Sequence, residues 1–263
     1  MKNTLKNKKL FIFDQDGTIY LGGRVFPFAV DFINNLRKNG YKVLFFTNNA
    51  SHNPVYYFDK LSRLGFEPSR AEILTSGNVT IQFLLRNRAG QKCYLVGTEE
   101  LETQFKEAGI ELCEEAPIVV TSFDTTLTYK KLDTACRLVR NGAEYLSTRP
   151  DFNCPTEDGF IPDSGAISAF VTASTGVTPT YFGKPYKTTL DMICQITGIE
   201  AEDMVIFGDR LYTDIALGKR NGVTSVLVLS GETKQADVDN AEESDKPDFV
   251  VEDLSVVNDI LFG

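Results

Sequence analysis

Short apolar runs recur along the chain, each closed by polar residues and followed by a stretch of helical periodicity. Leu10–Phe13 ends at Asp14, Tyr41–Phe46 at Thr47-Asn48-Asn49, Ile118–Val120 at Thr121-Ser122, and Met204–Phe207 at Gly208-Asp209. Runs that are apolar at successive rather than alternate positions suit strands covered on both faces, as in a parallel sheet. Between them the apolar spacing switches to three and four. Pro27 stands as a first helical residue, Phe28, Phe32, Ile33 and Leu36 give one face, and Gly40 is the stop. Asn53-Pro54 opens a second helix, carried by Tyr57, Phe58, Leu61 and Leu64 and closed by Gly65. The same spacing predicts helices over about 77–89, 99–108, 129–141, 165–175, 187–197 and 212–220. This alternation predicts an α/β fold with a doubly wound, Rossmann-like parallel sheet.

Two small, polar stretches, Thr75–Asn78 and Thr175–Pro179, read as domain joints. They divide the chain into a core of residues 1–78 and 179–263 and an inserted α/β domain of residues 79–178. Arg149–Asp163, rich in Pro, Asp, Gly and Asn, reads as a long functional loop. The acidic stretch Asp237–Asp248 reads as a solvated surface segment.

Composition narrows the function classes. The 263 residues carry a formal net charge of −9, which argues against a general nucleic-acid binder and against docking on anionic membranes. A single histidine, His52, excludes any two-histidine metal site; five cysteines, never closer than 18 residues, offer no zinc-like pair. Reduced, buried thiols in a cytoplasmic protein are expected. The basic segment Met1–Lys9 precedes only four apolar residues, too few for a signal peptide, and no run approaches a membrane span.

In open α/β sheets ligands bind outside the carboxyl ends of the strands, so strand-ending residues come first. Read in order they lie in FIFDQDGT, FFTNNAS, FGKP and IFGDRLYTD, supplying Asp14, Asp16, Thr47, Lys184, Asp209 and Asp214. This ordered set resembles the haloacid dehalogenase (HAD) superfamily. An α/β insertion between the Thr47 and Lys184 motifs, with FDTTLTYKKL and PTEDGFIPDSGA, resembles the cap of its NagD-like, p-nitrophenyl phosphatase branch. Gln15 stands where that branch usually has an apolar residue, and Arg149 where its T-N-P-D stretch has Asn.

The residue types fit phosphoryl transfer, which needs a nucleophile, an acid for the leaving group and positive charge around the equatorial oxygens. Asp14 is the expected nucleophile, forming an aspartyl-phosphate, and Asp16 the acid that protonates the leaving oxygen and then activates water. Thr47 and Asn48 are expected to bind the phosphoryl group, with Lys184 as its compact cation. Asp209, an oxygen of Asp14 and the Asp16 carbonyl are hard ligands for Mg²⁺. The resemblance adds Asp214 as support for the metal, behind its ligands or through water. Four carboxylates outnumber the three positive charges of Mg²⁺ and Lys184, so one is expected to stay protonated, and that one is Asp16.

Arg149 has two readings, a contact to an anionic part of the substrate or a solvated loop cation; Asp124, Tyr129, Asn153 and His52 are weaker candidates. The expected activity is a Mg²⁺-dependent phosphatase for a small phosphorylated metabolite. A phosphotransferase or phosphomutase would use the same intermediate, and a receiver-like phospho-acceptor would place its nucleophile later in the chain. The resemblance also implies a homodimer through the cap.

Overall fold

The computed structural model describes residues 1–50, 52–156 and 159–263. Ser51 of the FFTNNAS motif and Glu157-Asp158 of the cap-like segment lie outside the described residues. The chain forms two compact units: Met1–Thr47, Pro54–Leu74 and Lys184–Gly263 make the first, Asn48–Asn53 and Thr75–Gly183 the second.

The first unit is built on a six-stranded sheet, in the order Phe249–Val251, Thr224–Val228, Met204–Gly208, Leu10–Phe13, Lys42–Thr47, Ile73–Thr75. The first five of these strands pair in parallel. Successive side chains alternate between faces, and both faces are covered, which is why the apolar runs are continuous. Phe11, Phe13, Phe45 and Phe207 share one core with Phe32, Ile33 and Leu36 of the helix Ala29–Lys38 and Val257 and Leu261 of the helix Leu254–Phe262. The Phe13 and Phe207 rings stack with centroids 4.9 Å apart, and Phe32 meets Phe13 edge-on at 5.9 Å. On the other face Gly218, in the helix Ala216–Asn221, brings its backbone so close that an added Cβ would sit 3.2 Å from Ile206.

Pro27 is not the first helical residue. Ala29 N–H donates to the Phe26 carbonyl at 3.3 Å, and Phe28 has φ +63°. Proline thus occupies the second position of a tight turn whose third residue is left-handed, and the helix starts after it. The apolar spacing predicts no element after residue 220, yet the strands Thr224–Val228 and Phe249–Val251 and the helices Gln235–Asn240 and Leu254–Phe262 complete this unit. The acidic stretch Asp237–Asp248 is largely exposed, as expected, and Asp248, itself exposed, also accepts from Ser225 N at 2.8 Å and Ser225 Oγ at 3.0 Å.

The second unit has its own parallel sheet, in the order Thr180–Tyr181, Glu144–Ser147, Ile118–Thr121, Cys93–Val96. Its helices begin at readable caps: Thr75, Thr98 and Thr128 accept from the backbone of Asn78, Leu101 and Lys131, and Asp163 from Ser164. Thr75–Asn78 is therefore the start of the helix Ser76–Asn87, with Ser76 and Gly77 buried. Arg149–Asp163 is not a structureless loop, because Asn153–Thr156 pairs antiparallel with Gly159–Pro162. A two-stranded ribbon tolerates Pro155 and Pro162 because each strand has a free edge. All five cysteines are free; Cys93 and Cys136 are buried, while Cys113, Cys154 and Cys194 are half-buried.

Candidate active site

In the first unit Leu10–Phe13 lies between Met204–Gly208 and Lys42–Thr47, and the strand order reverses there. Such a reversal leaves a crevice at the carboxyl ends, since helices leave the two neighbouring strands in opposite directions. Phe13 pairs in register with both Phe45 and Phe207, so Asp14, Thr47 and Asp209 leave the sheet at one end. Asp14 N–H continues the ladder by donating to the Phe207 carbonyl at 2.9 Å.

Lys184 organises this end. Its ammonium, with 2 % of the side chain exposed, lies 2.5 Å from Asp14 Oδ1 and 2.7 Å from Asp214 Oδ1. It also donates to the Phe46 carbonyl at 3.2 Å. Burial pushes the ammonium towards neutrality, but attraction to the two carboxylates outweighs burial and holds its pKa above the ordinary value. Asp14, Asp209 and Asp214 each place a carboxylate oxygen within 4.8 Å of the others. Burial, reinforced by the neighbouring negative charges and opposed by Lys184, pushes Asp14 up to about 7 and Asp209 up to about 6.

Hydrogen bonds fix this cluster, and glycines make room for it. Asp209 Oδ2 accepts from Glu232 N–H at 2.7 Å, whereas Asp209 Oδ1 is buried with no hydrogen-bond partner. An orphaned carboxylate oxygen beside two more carboxylates fits a hard divalent cation. Gly17 has φ +88°, and a Cβ there would stand 2.2 Å from Asp209 Oδ2. Only glycine permits both the left-handed turn after Asp16 and this approach.

Asp16 stands apart. It was expected at the metal through its carbonyl, and its carboxylate lies outside the three-residue cluster. That carboxylate is 58 % exposed, 3.7 Å from the Lys60 ammonium. The helical periodicity of Tyr57, Phe58, Leu61 and Leu64 gave no signal that Lys60 would stand here, because it marks only the apolar face. Thr47 closes its strand half-buried, one residue beyond the carbonyl that Lys184 binds.

Asn48 and Arg149 belong to the second unit. Arg149 is not a solvated loop cation: the residue is 4 % exposed, and every guanidinium nitrogen faces a protein oxygen. Nε donates to Asp163 Oδ1 at 2.8 Å, Nη2 pairs with Asp163 Oδ2, and Nη1 donates to the Asn48 carbonyl at 3.3 Å. A buried guanidinium requires a counter-charge, and Asp163 supplies it as a bidentate fork. Asn48 Nδ2 donates to Asp151 at 3.2 Å. Asp124 is likewise buried and paired with Lys131 at 2.6 Å, Tyr129 and Asn153 are exposed, and His52 lies 3.5 Å from Glu100.

The profile of the haloacid dehalogenase-like hydrolases matches residues 11–111, and a second HAD-hydrolase-like profile matches residues 181–257. The chain is 31 % identical to the 5'-nucleotidase YutF of Bacillus subtilis, over 95 % of this chain and 98 % of that protein. It is 33 % identical to an acid sugar phosphatase of Staphylococcus aureus, over 95 % of this chain and 97 % of that protein. Among solved structures it is similar to the 4-nitrophenylphosphatase of Thermotoga maritima, with 40 % identity, TM-score 0.91 and coverage of 97 % and 98 %. NagD of Escherichia coli is similar at 27 % identity and TM-score 0.87, with coverage of 94 % and 97 %. Among the described residues no helix is long and apolar enough to cross a membrane.

Proposed function

The chain belongs to the haloacid dehalogenase-like hydrolase family and is a phosphatase of it, and on that premise we propose a Mg²⁺-dependent route through an aspartyl-phosphate on Asp14. The observation that supports this most is the ammonium of Lys184 held between Asp14 and Asp214 beside Asp209, at the ends of adjacent parallel strands. In this reading the unit Thr75–Gly183 is the inserted cap, and the substrate is a small phosphomonoester.

Asp14, Asp209 and the Asp16 carbonyl would hold the cation, with Asp214 supporting it while bound to Lys184. Bound there, Mg²⁺ supplies positive charge to the transferring phosphoryl group and keeps Asp14 and Asp209 ionised. The other Asp14 oxygen attacks phosphorus as the bond to the leaving oxygen breaks, and Asp16 gives that oxygen its proton. Lys184 and the Thr47 hydroxyl stabilise the charge on the equatorial oxygens. In the second half Asp16, now ionised, takes a proton from water; that water attacks phosphorus, inorganic phosphate leaves, and Asp14 and protonated Asp16 return. Glycine at position 17 allows the left-handed backbone that follows Asp16.

Turnover of p-nitrophenyl phosphate tests the proposal. Hydrolysis that stops with EDTA, resumes with Mg²⁺ and is lost in folded Asp14→Asn protein is expected. Undiminished hydrolysis by Asp14→Asn would overturn it.

A further inference from the structure

We infer that Lys60 is a positioning residue for Asp16, seated on the ring of Tyr20; this rests on the acid–base role proposed above for Asp16.

An acid–base group acts on two different oxygens in turn, so its carboxylate must be held facing the scissile bond in both steps. Asp16 is mostly exposed, and among the described residues Lys60 is the one hydrogen-bonding or ion-pairing partner shown for its carboxylate. Lys60 lies in the helix Pro54–Arg63 between Tyr57 and Leu61, which are both buried. That places its stem against the core and its ammonium at the edge. The ammonium sits 4.0 Å from the centroid of the Tyr20 ring, within cation–π range.

That platform is rigid. Tyr20 is fully buried and its hydroxyl donates to Gln15 Oε1 at 2.8 Å. Its carbonyl accepts from Gly17 N–H at 2.8 Å, which ties the ring's own backbone to the turn that carries Asp16. Gln15, which departs from the branch's apolar residue, is buried too and provides the acceptor that a buried tyrosine hydroxyl needs. The ammonium is thereby fixed relative to the Asp16 turn by contacts on two elements, the helix and the ring. A half-exposed ion pair of this kind adds little to stability. Its effect is to narrow the positions the Asp16 carboxylate visits.

The test compares wild type, Lys60→Met, Lys60→Arg, Asp16→Asn and the Lys60→Met/Asp16→Asn double variant, on glycerol 3-phosphate and p-nitrophenyl phosphate. An alkoxide leaves only when protonated, whereas nitrophenolate leaves without a proton. We expect Lys60→Met to lower kcat for glycerol 3-phosphate about tenfold with KM unchanged. The pre-steady-state burst from p-nitrophenyl phosphate should be unaffected, and Lys60→Arg should recover most of the lost rate. In the Asp16→Asn background Lys60→Met should cost nothing further, because a residue acting only through Asp16 has nothing left to position. An equal loss in both backgrounds, or an equal loss in the burst, overturns the inference and makes Lys60 merely structural. If Asp16→Asn itself retains full turnover of glycerol 3-phosphate, the acid–base reading fails first, and the Lys60 inference falls with it.

Discussion

Lys184→Met removes the cation from a buried cluster while roughly keeping its volume. The ammonium bridges Asp14 at 2.5 Å and Asp214 at 2.7 Å, and Asp209 lies in the same cluster. Removing one partner of a buried ion pair leaves an uncompensated charge and costs about 3–5 kcal/mol. At about 2–4 °C per kcal/mol for a chain of this size, metal-free protein should lose on the order of 10 °C in Tm. The sign with pH follows from the carboxylates. Lysine stays charged throughout, and a carboxyl whose folded pKa is raised favours the folded state at low pH and disfavours it as pH rises through that value. Asp14 is raised to about 7 and Asp209 to about 6, so near pH 5.5 much of the cluster is neutral and needs its cation less. Thermal melts followed by circular dichroism in EDTA, at pH 5.5 and pH 8.5, measure this. We expect the larger drop at pH 8.5. A variant within about 2 °C of wild type at pH 8.5, or an equal drop at both pH values, would refute the charge argument.

Mg²⁺ should raise Tm more at pH 8 than at pH 5.5, by about 3 kcal/mol of stabilisation at a hundredfold excess over its Kd, because its carboxylate ligands must be ionised; equal stabilisation at both pH values would contradict that ligand set. Gly17→Ala should weaken Mg²⁺ binding and lower kcat about a hundredfold, since its Cβ would stand 2.2 Å from Asp209 Oδ2 in a left-handed turn; isothermal titration and steady-state kinetics check it. Arg149→Met should destabilise the second unit by about 3 kcal/mol by stranding Asp163, while leaving KM for p-nitrophenyl phosphate unchanged; a large rise in KM without a change in Tm would restore the substrate-contact reading.

The central strands of both sheets were legible because both of their faces are buried, so four apolar runs, three in the first unit and Ile118–Val120 in the second, stood out against polar ends. Asp14 and Asp209 could be read for the same reason: adjacent parallel strands deliver whatever follows them to one edge, whereas Lys184, which follows Thr180–Tyr181 of the other sheet, was legible only from the FGKP motif. Phe249–Val251 is cut short by Asp248 and Glu252, whereas Thr224–Val228 overlaps an apolar run, Val226–Leu229, as long as Leu10–Phe13, and was overlooked rather than hidden. Pro27 misled because proline serves a tight turn as well as a helix start. The ribbon of Asn153–Thr156 and Gly159–Pro162 was hidden because its sequence shows no apolar alternation to read, and its second strand is exposed throughout. Arg149 could not be assigned from sequence: its counter-charge, Asp163, lies fourteen residues away and is brought to it only by that ribbon folding back. Lys60 was invisible for a related reason, since its partners Asp16 and Tyr20 are about forty residues upstream.

The central claim is that Asp14 becomes phosphorylated. In Asp16→Asn protein, p-nitrophenyl phosphate should still phosphorylate Asp14, because nitrophenolate needs no proton, while hydrolysis of the intermediate slows. Acid quenching followed by peptide mass spectrometry should then find a hydroxylamine-labile phosphoryl group on the peptide that carries Asp14, and none when Asp14 is also changed to Asn. A phosphoryl group on another residue, or none at all while p-nitrophenol is still released, would contradict the mechanism.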